Sequence, residues 1–175
     1  MKLSIAVALP FLLLAGCDDT ENVSRSPTTE GVASPAPAPV AAGEVAKANG
    51  LELTLLSVKV AKQIGVDGIT PKLGADETYV VARYSIKNIS TKPMGMMEWP
   101  KLDLIDSRGA SYVADDGASA MALALSTADS SVSTDLNPGV STKWITVWKI
   151  AAAGFDKKTW KVVAETDPRL TFSLE

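Results

Sequence analysis

The sequence predicts an all-β fold, an immunoglobulin-like β-sandwich of about seven or eight strands, and three observations support this prediction. Short apolar segments recur at roughly ten-residue spacing from residue 51 to residue 174. Turn-forming residues separate them, most clearly Asn137, Pro138 and Gly139. One segment, residues 78–88, alternates apolar and polar side chains over its whole length. Regularly spaced short strands separated by turns are typical of a sandwich.

Residues 78–88 form the most regular predicted strand. Its apolar side chains share one face at period two: Val80, Ala82, Tyr84 and Ile86. The other face is mostly polar and carries Tyr79, Arg83, Ser85 and Lys87, with Val81 as the apolar exception. We therefore expect one face of this strand to be buried and the other to be largely exposed.

The segments on either side of this strand have weaker patterns. Residues 51–62 form a strand whose apolar phase changes midway, which predicts either a β-bulge or a strand that crosses between the sheets. Glycines and a proline in residues 65–76 predict an exposed loop. Residues 92–100 form a loop or a broken edge segment flanked by prolines. The following apolar alternation and the turn at residues 106–109 predict a hairpin.

The last third of the domain is less uniform. Residues 115–133 mix helical and strand preferences, and we expect an irregular segment with one short helical turn. Residues 140–150 are apolar on both faces, with Trp144 and Trp148 on one side and Ile145 and Val147 on the other. Two apolar faces predict a central strand. Alternation in residues 160–165 and 170–174 predicts the last two strands.

Composition restricts the chemistry that the chain can perform. The chain contains no histidine and a single cysteine, and its formal net charge is −3. These counts exclude His-based catalysis and metal sites, intrachain disulfides and multi-Cys metal centres. No basic patch is present, so we expect no nucleic-acid partner. No Ser-x-x-Lys motif or nucleophile elbow is present either, and we expect neither an enzyme nor a cofactor.

The N-terminus resembles that of bacterial lipoproteins. A lysine is followed by an apolar segment, residues 3–15, which is too short to span a bilayer and ends in Leu14-Ala15-Gly16-Cys17. The resemblance implies cleavage between Gly16 and Cys17 and acylation of Cys17, which anchors the chain to the membrane. We therefore predict a signal peptide in residues 1–16. Residues 17–49 are then the lipidated cysteine and a disordered Pro/Ala-rich tether, and residues 50–175 are the sandwich domain.

Two acidic residues follow the predicted lipidation site. Asp18 and Asp19 resemble the signal that keeps lipoproteins on the inner membrane of Gram-negative bacteria. This resemblance implies a domain that faces the periplasm, with the outer membrane as the alternative location. The lipoprotein-like N-terminus, the long tether and the absence of a catalytic motif together predict a protein partner in the cell envelope.

The sandwich domain contains a series of segments in a characteristic order. Residues 79–90 read Tyr-Val-Val-Ala-Arg-Tyr-Ser-Ile-Lys-Asn-Ile-Ser, and residues 102–112 read Leu-Asp-Leu-Ile-Asp-Ser-Arg-Gly-Ala-Ser-Tyr. A Leu-Asn-Pro-Gly turn and the aromatic strand Thr-Val-Trp-Lys-Ile follow. This order resembles a bacterial telokin-like, immunoglobulin-like family of unknown function that includes a secreted mycobacterial antigen. The resemblance covers about residues 50–174 and implies the fold and an extracytoplasmic location, but no catalytic residues.

Three sets of residues are candidate ligand sites. Met94, Met96 and Met97 supply soft sulfur ligands suited to Cu(I), although methionines more often fill gaps in a core. The turn acids Asp103, Asp106, Asp115 and Asp116 offer oxygen ligands for Ca²⁺ or simply form turns. The four tryptophans form either a carbohydrate or peptide platform or part of the core: Trp99, Trp144, Trp148 and Trp160. We expect a non-enzymatic binding module, with Cu(I) handling as the alternative.

Overall fold

A computed structural model of the protein describes residues 38–65, 73–126 and 135–175. They contain eight strands and one α-helix, in the order β1 (Val45–Ala48), β2 (Leu51–Ala61), β3 (Glu77–Asn88), β4 (Leu102–Ile105), β5 (Ser111–Tyr112), α1 (Asp116–Ala124), β6 (Ser141–Ala151), β7 (Lys161–Ala164) and β8 (Leu170–Ser173). The predicted signal peptide, its cleavage site at Gly16 and Cys17, and the predicted sorting residues Asp18 and Asp19 lie outside the described residues.

The strands form two antiparallel four-stranded sheets. One has the order β1-β2-β3-β6 and the other has the order β5-β4-β7-β8. The predicted sandwich of seven or eight strands is therefore confirmed. In a constant-type immunoglobulin domain, the strands that correspond to β5 and β6 are paired neighbours in the same sheet. Here β5 pairs with β4 instead, so no strand extends the first sheet beyond β6 among the described residues.

The main core lies between the two sheets, and β3 supplies its centre. Val80, Ala82 and Ile86 are completely buried, as the alternation of residues 78–88 predicts. Tyr79 contradicts the prediction, because it belongs to the face expected to be exposed and yet has 0% exposure. Helix α1 and the neighbouring residue Ile64 form a second apolar cluster over that face, and this cluster buries Tyr79.

The region expected to be irregular contains the nine-residue helix α1. The prediction of one short helical turn is wrong for residues 116–124, and residues 127–133 of that segment lie outside the described chain. Asp115 caps the helix, because its Oδ1 accepts a hydrogen bond from the N–H of Ala118 at 2.9 Å. Ala118 and Leu123 face the sheet and are buried. Packing on the sheet thus selects helix for a sequence that has both preferences.

Strand β6 is buried on both faces but lies at a sheet edge, so the prediction of a central strand is wrong. Its partner is β3, and the described residues place no strand on its other side. One face packs into the core through Trp148 and Ile150. The other face, with Ile145 and Val147, is covered by α1. The apolar residues on both faces of β6 are therefore explained by the helix that covers one face, not by a second neighbouring strand.

The sandwich begins before residue 50, and the predicted tether is therefore too long. Strand β1 lies within residues 17–49 and pairs with β2. Val40 also bridges in parallel to Phe172, next to β8. The β1–β2 connection is a two-residue turn in which Asn49 and Gly50 both have positive φ, 48° and 73°. A side chain at Gly50 would also place its Cβ 2.9 Å from the Cβ of Ser90.

The other predicted elements within the described residues agree with the structure, whereas residues 66–72 of the predicted exposed loop lie outside the described residues. The phase change in β2 is a β-bulge between Leu55 and Ser57. The predicted hairpin is β4–β5, and the last two predicted strands are β7 and β8. Residues 92–100 contain a short 3-10 helix, Met96–Glu98, and an isolated bridge from Met94 to Leu136. Within the described ranges, no helix is long and apolar enough to cross a bilayer.

Candidate functional site

Two adjoining cavities open where the edge of β6 meets α1 and the segment that precedes β4. The first has a volume of about 270 Å³ and lies between the sheets, with Trp99, Leu102, Ala114 and Thr146 among its lining residues. The second has a volume of about 320 Å³ and runs along α1 past Ala120, Leu123 and Ala124. Four residues line both cavities, which we together call the β6 groove: Met96, Asp116, Ser119 and Trp144.

Helix α1 forms one wall of the β6 groove and is fixed to the edge of β6 by two hydrogen bonds. The N–H of Asp115 donates to the carbonyl of Val147 at 2.7 Å, and the N–H of Val147 donates to Ser119 Oγ at 2.9 Å. The outward-facing backbone groups of Val147 are thereby satisfied. The same contacts hold Asp116 and Ser119 at the groove.

The 3-10 helix Met96–Glu98 forms the opposite wall. The carboxylate of Glu98 accepts a hydrogen bond from the N–H of Gly95 at 2.6 Å, and the N–H of Glu98 donates to the carbonyl of Gly95 at 2.9 Å. Backbone hydrogen bonds between Met94 and Leu136 hold the start of this segment against the chain that leads into β6. In this segment the side chain of Met96 is 48% exposed and that of Met97 is 93% exposed.

Aromatic side chains form the interior of the β6 groove. The rings of Trp99 and Trp144 meet edge to face, with centroids 5.1 Å apart and planes at 88°. Deeper in the first cavity, the hydroxyls of Tyr84 and Thr146 are hydrogen-bonded to each other at 3.2 Å. Burial raises the pKa of Tyr84 above its ordinary value, so its phenol stays protonated at neutral pH. The cavity therefore combines rigid apolar surface with a neutral polar floor.

Charged residues surround the opening of the first cavity. Asp103 and Asp116 supply two carboxylates, and Lys101 supplies one amine. Asp103 accepts a hydrogen bond from Ser111 Oγ at 3.0 Å. Neither carboxylate forms a salt bridge with any residue that the structure describes. The opening therefore carries one more negative charge than positive charge and favours a cationic group on a ligand.

The structure places the three predicted methionine ligands in different environments. Met94 packs against the main core, Met96 lines the β6 groove, and Met97 is almost fully exposed. A Cu(I) site needs sulfurs that converge on one point. Met94 contributes packing, and Met97 contributes exposed apolar surface.

Two of the four candidate calcium ligands form a turn and a helix cap, and the other two lie at the groove. Asp106 is only 4% exposed and accepts hydrogen bonds from the N–H groups of Arg108 and Ala110 at 2.8 and 2.9 Å. The Ala110 N–H and the neighbouring Arg108 hold the pKa of Asp106 below its ordinary value. Asp115 is the helix cap described above, and Asp103 and Asp116 lie at the groove. In the described chain, no group of three or more acidic, His or Cys side chains is arranged to hold a metal.

The four tryptophans divide into core and groove residues. Trp148 is completely buried, and Trp160 is 5% exposed and packs against Tyr112 and Phe155. Trp99 and Trp144 are half-buried and line the groove. The prediction that Trp144 and Trp148 share a core face is therefore correct for Trp148, whereas Trp144 extends that face to the groove.

Comparisons with known proteins give relatives of the same fold. No model of a known protein family matches the chain. The chain is 29% identical over 126 residues to the uncharacterized protein YxkC of Bacillus subtilis strain 168, which covers 71% of this chain and 70% of that protein. Neither finding assigns an activity or a ligand.

Three solved structures are similar to the sandwich. A conserved hypothetical protein from Bacillus anthracis aligns with a TM-score of 0.65 and 22% identity, over 77% of this chain and 94% of that one. An uncharacterized β-sandwich protein from Clostridium difficile 630 aligns with a TM-score of 0.54 and 8% identity, over 79% and 95%. The yjhA protein from Bacillus subtilis aligns with a TM-score of 0.52 and 13% identity, over 77% and 98%. These similarities show the β-sandwich fold and nothing finer.

Proposed function

We propose that this chain is a lipid-anchored protein of the cell envelope, whose sandwich is a non-enzymatic binding module that holds a protein partner in the β6 groove. The observation that carries the proposal is the groove itself. Exposed Met96 and the half-buried rings of Trp99 and Trp144 surround two adjoining cavities at one edge of the sandwich. Concave sites lined by aromatic and apolar side chains with a few polar groups are where proteins bind ligands.

The chemistry of the groove supports binding and not catalysis. Its one buried polar pair consists of the hydroxyls of Tyr84 and Thr146, and no carboxylate or amine bonds to either of them among the described residues. A hydroxyl nucleophile needs an adjacent base, and the chain has no histidine to supply one. The pair is therefore suited to donate and accept hydrogen bonds to a bound group.

The lipoprotein-like N-terminus supports the envelope location. Leu14-Ala15-Gly16-Cys17 follows a short apolar segment, and we propose acylation at Cys17 with retention on the inner membrane through Asp18 and Asp19. The described chain enters the sandwich at Val40, beside β8, whereas the β6 groove opens at the far end of the first sheet from β1.

The telokin-like resemblance remains part of the proposal. It is supported by the two-sheet architecture and by the position of the quoted segments on β3, β4, β5 and β6. It implies the fold and an extracytoplasmic location, and it assigns no role to the groove, because one sandwich fold serves many functions.

Cys17→Ser tests the anchor. Serine lacks the thiol that accepts the lipid, so we expect the variant to lose membrane attachment while the sandwich stays folded. Membrane fractionation and mass spectrometry of the N-terminus measure the first effect, and circular dichroism measures the second. A wild-type chain that carries no lipid on Cys17 would show that the anchor is wrong.

Affinity capture from solubilised envelopes tests the groove. The bait is the full chain, compared with Met96→Lys and with the matched control Val60→Lys. Met96 is 48% exposed within the groove, and Val60 is 50% exposed on β2 and lines neither cavity. We expect one partner to be retained by wild type and by the control and lost from Met96→Lys. Equal retention by both variants, or turnover of an envelope substrate by the purified chain, contradicts the proposal.

Cu(I) handling through Met94, Met96 and Met97 remains the alternative, and no observation in the structure favours it. Titration of Cu(I) against wild type and against the triple Met→Leu variant separates the two functions. Binding that disappears in the triple variant would replace the proposed role with metal handling.

A further inference from the structure

We infer that the occupant of the β6 groove is an extended peptide segment that adds a strand to β6 beside Lys143 and Ile145, and that carries aliphatic side chains next to a lysine or arginine. This inference rests on the proposed binding function and specifies the chemistry of the partner. Three features of the described residues carry it: the backbone of β6, the two cavities on either side of its edge, and the charge at the opening.

The backbone of β6 offers unpaired hydrogen-bonding groups at the groove. In an antiparallel pair, alternate residues direct their N–H and C=O groups toward the partner strand and away from it. Val147 directs both groups away from β3, since they bond to Ser119 and Asp115. Ile145 and Lys143 share this orientation because they precede Val147 by two and four residues. Their outward groups have no recorded hydrogen bond within the described ranges.

Strand addition is the binding mode that uses such an edge. An extended peptide exchanges backbone hydrogen bonds with an exposed strand, and pockets for alternate side chains give specificity. The segment Asp115–Ser119 already mimics this mode at Val147, where it occupies the edge with a backbone donor and a hydroxyl acceptor. The edge becomes available directly beyond this contact, at Ile145, which also lines the first cavity.

The two cavities match the side chains of an added strand. Successive side chains of a strand point to opposite faces of its sheet. On one face of β6 lies the first cavity, between the sheets, with Leu102 and Trp99. On the other face lies the second cavity, along α1, with Ala120 and Leu123. Both cavities accept aliphatic groups, so we expect apolar residues at two adjacent positions of the peptide.

The charge at the opening specifies the flanking residue. Asp103 and Asp116 line the first cavity and have no salt-bridge partner in the described chain, and Lys101 offsets one of the two charges. A lysine or arginine of the peptide can therefore pair with Asp116, which is exposed at the start of α1. A carboxylate at the same peptide position would be repelled.

The test measures binding of the synthetic peptide acetyl-Lys-Val-Leu-Val-Thr-amide to the purified full chain in detergent micelles. Two control peptides replace the lysine by glutamate or carry N-methyl groups on alternate backbone amides. Lys143→Pro removes the outward N–H of β6, and the matched variant Lys143→Thr removes the same charge but keeps the N–H. Asp116→Asn removes the proposed pairing charge. Circular dichroism of each variant shows whether the sandwich is retained.

We expect the lysine peptide to bind Lys143→Thr at least as tightly as wild type, because the variant keeps the N–H and removes a positive charge beside the peptide. It should bind Lys143→Pro about tenfold more weakly than Lys143→Thr, because backbone hydrogen bonds are lost. N-methylation should weaken binding similarly, and Asp116→Asn should remove the preference for lysine over glutamate. Strand addition is overturned if Lys143→Pro and Lys143→Thr bind the unmodified peptide equally and N-methylation of the peptide does not weaken binding. If Lys143→Pro unfolds, the N-methylated peptide decides alone.

The outcomes of this test are separate from those of the proposed function. An envelope partner that requires Met96 but is retained by Lys143→Pro, together with no binding of the peptide, overturns the inference and leaves the binding module intact. If affinity capture recovers no partner whose retention requires Met96, the proposed function is overturned, whatever the result with the peptide.

Discussion

Asn88 joins three segments of the chain from a completely buried position. Its Nδ2 donates to the carbonyls of Lys92 and Leu136, both at 2.7 Å, and its Oδ1 accepts from the N–H and the hydroxyl of Ser90 at 2.8 and 2.7 Å. The end of β3, the loop that leads to the β6 groove and the chain before β6 are thereby fixed to one another.

Asn88→Ala should lower the free energy of unfolding by about 2–4 kcal/mol, because it removes the two hydrogen bonds that Nδ2 donates and the two that Oδ1 accepts. Urea unfolding of the purified protein measures the change. Asn88→Asp is the comparison, because it keeps the acceptor for Ser90 and replaces the donor by a carboxylate that faces both carbonyls. We expect it to be at least as destabilising. A loss below about 0.5 kcal/mol for both variants would contradict this role.

Asp106 gives the sandwich a pH dependence that can be measured. The Ala110 N–H and Arg108 hold the pKa of its carboxyl below the ordinary value of 3.8. A depressed folded-state pKa stabilises the fold above the unfolded value, and this contribution is lost as pH falls through the folded pKa. Asp106→Asn should therefore lower Tm at neutral pH, and the difference from wild type should vanish below the folded pKa. A pH-independent difference would contradict the assignment.

At the scale of elements, α1 protects part of an exposed sheet edge. An unpaired strand edge is a liability, and a covering helix is one way to manage it. Ser119 connects the two elements, because its hydroxyl accepts from the N–H of Val147 and donates to the carbonyl of Asp115 at 2.7 Å.

Ser119→Ala should cost about 1 kcal/mol of stability and should raise hydrogen exchange at the Val147 amide above that of its neighbours in β6. Ser126→Ala is the control, because Ser126 donates to the carbonyl of Leu123 at the other end of α1. Unchanged exchange at Val147 in Ser119→Ala would show that the helix does not depend on this contact to cover the edge.

The sequence predicts most strands because their two faces differ. Alternation in β3 and β4 reports one buried face directly, and the change of phase in β2 reports the bulge. Strand β1 is too short for this alternation to be visible, and residues 17–49 are therefore predicted to be the tether. The dipeptide Asn49-Gly50 is a strong hairpin signal and is the feature from which β1 could have been predicted. The helix and the burial of Tyr79 depend on packing between distant segments, which local periodicity does not contain.

The β6 groove is still less visible in the sequence. Its walls come from Met96, Ser119 and Trp144, which lie far apart along the chain and meet only after the sheets have formed. Met96 and Trp144 are recognisable in the sequence as candidate site residues. The sequence, however, groups Met96 with the other methionines and Trp144 with the other tryptophans, and not with each other. The cavity between them follows from the position of β5, which pairs with β4, so that no described strand pairs with the outer edge of β6.

For the molecule as a whole, the structure changes the boundary of the folded unit. Strand β1 and Val40 belong to the sandwich, because Val40 exchanges backbone hydrogen bonds with Thr171 and Ser173 at 2.8 and 2.9 Å. A fragment of residues 38–175 should therefore unfold cooperatively. A fragment of residues 50–175 should be several kcal/mol less stable, because it loses the pairing of β1 with β2 and with it the buried residues Ala46 and Ala48 beside Leu53 and Leu51. Equal urea midpoints for the two fragments would restore the boundary at residue 50.

The proposed anchor and the proposed role of the β6 groove have a joint consequence at this scale: a partner should reach the edge of β6 in the intact envelope. Site-specific photo-crosslinking tests this claim most directly. A photoreactive amino acid is placed at position 96 or at position 60, in otherwise native cells and in Cys17→Ser cells. We predict one dominant crosslinked protein from position 96 that is absent from position 60 and reduced when the anchor is lost. The same products from both positions, or none from position 96, would contradict the account.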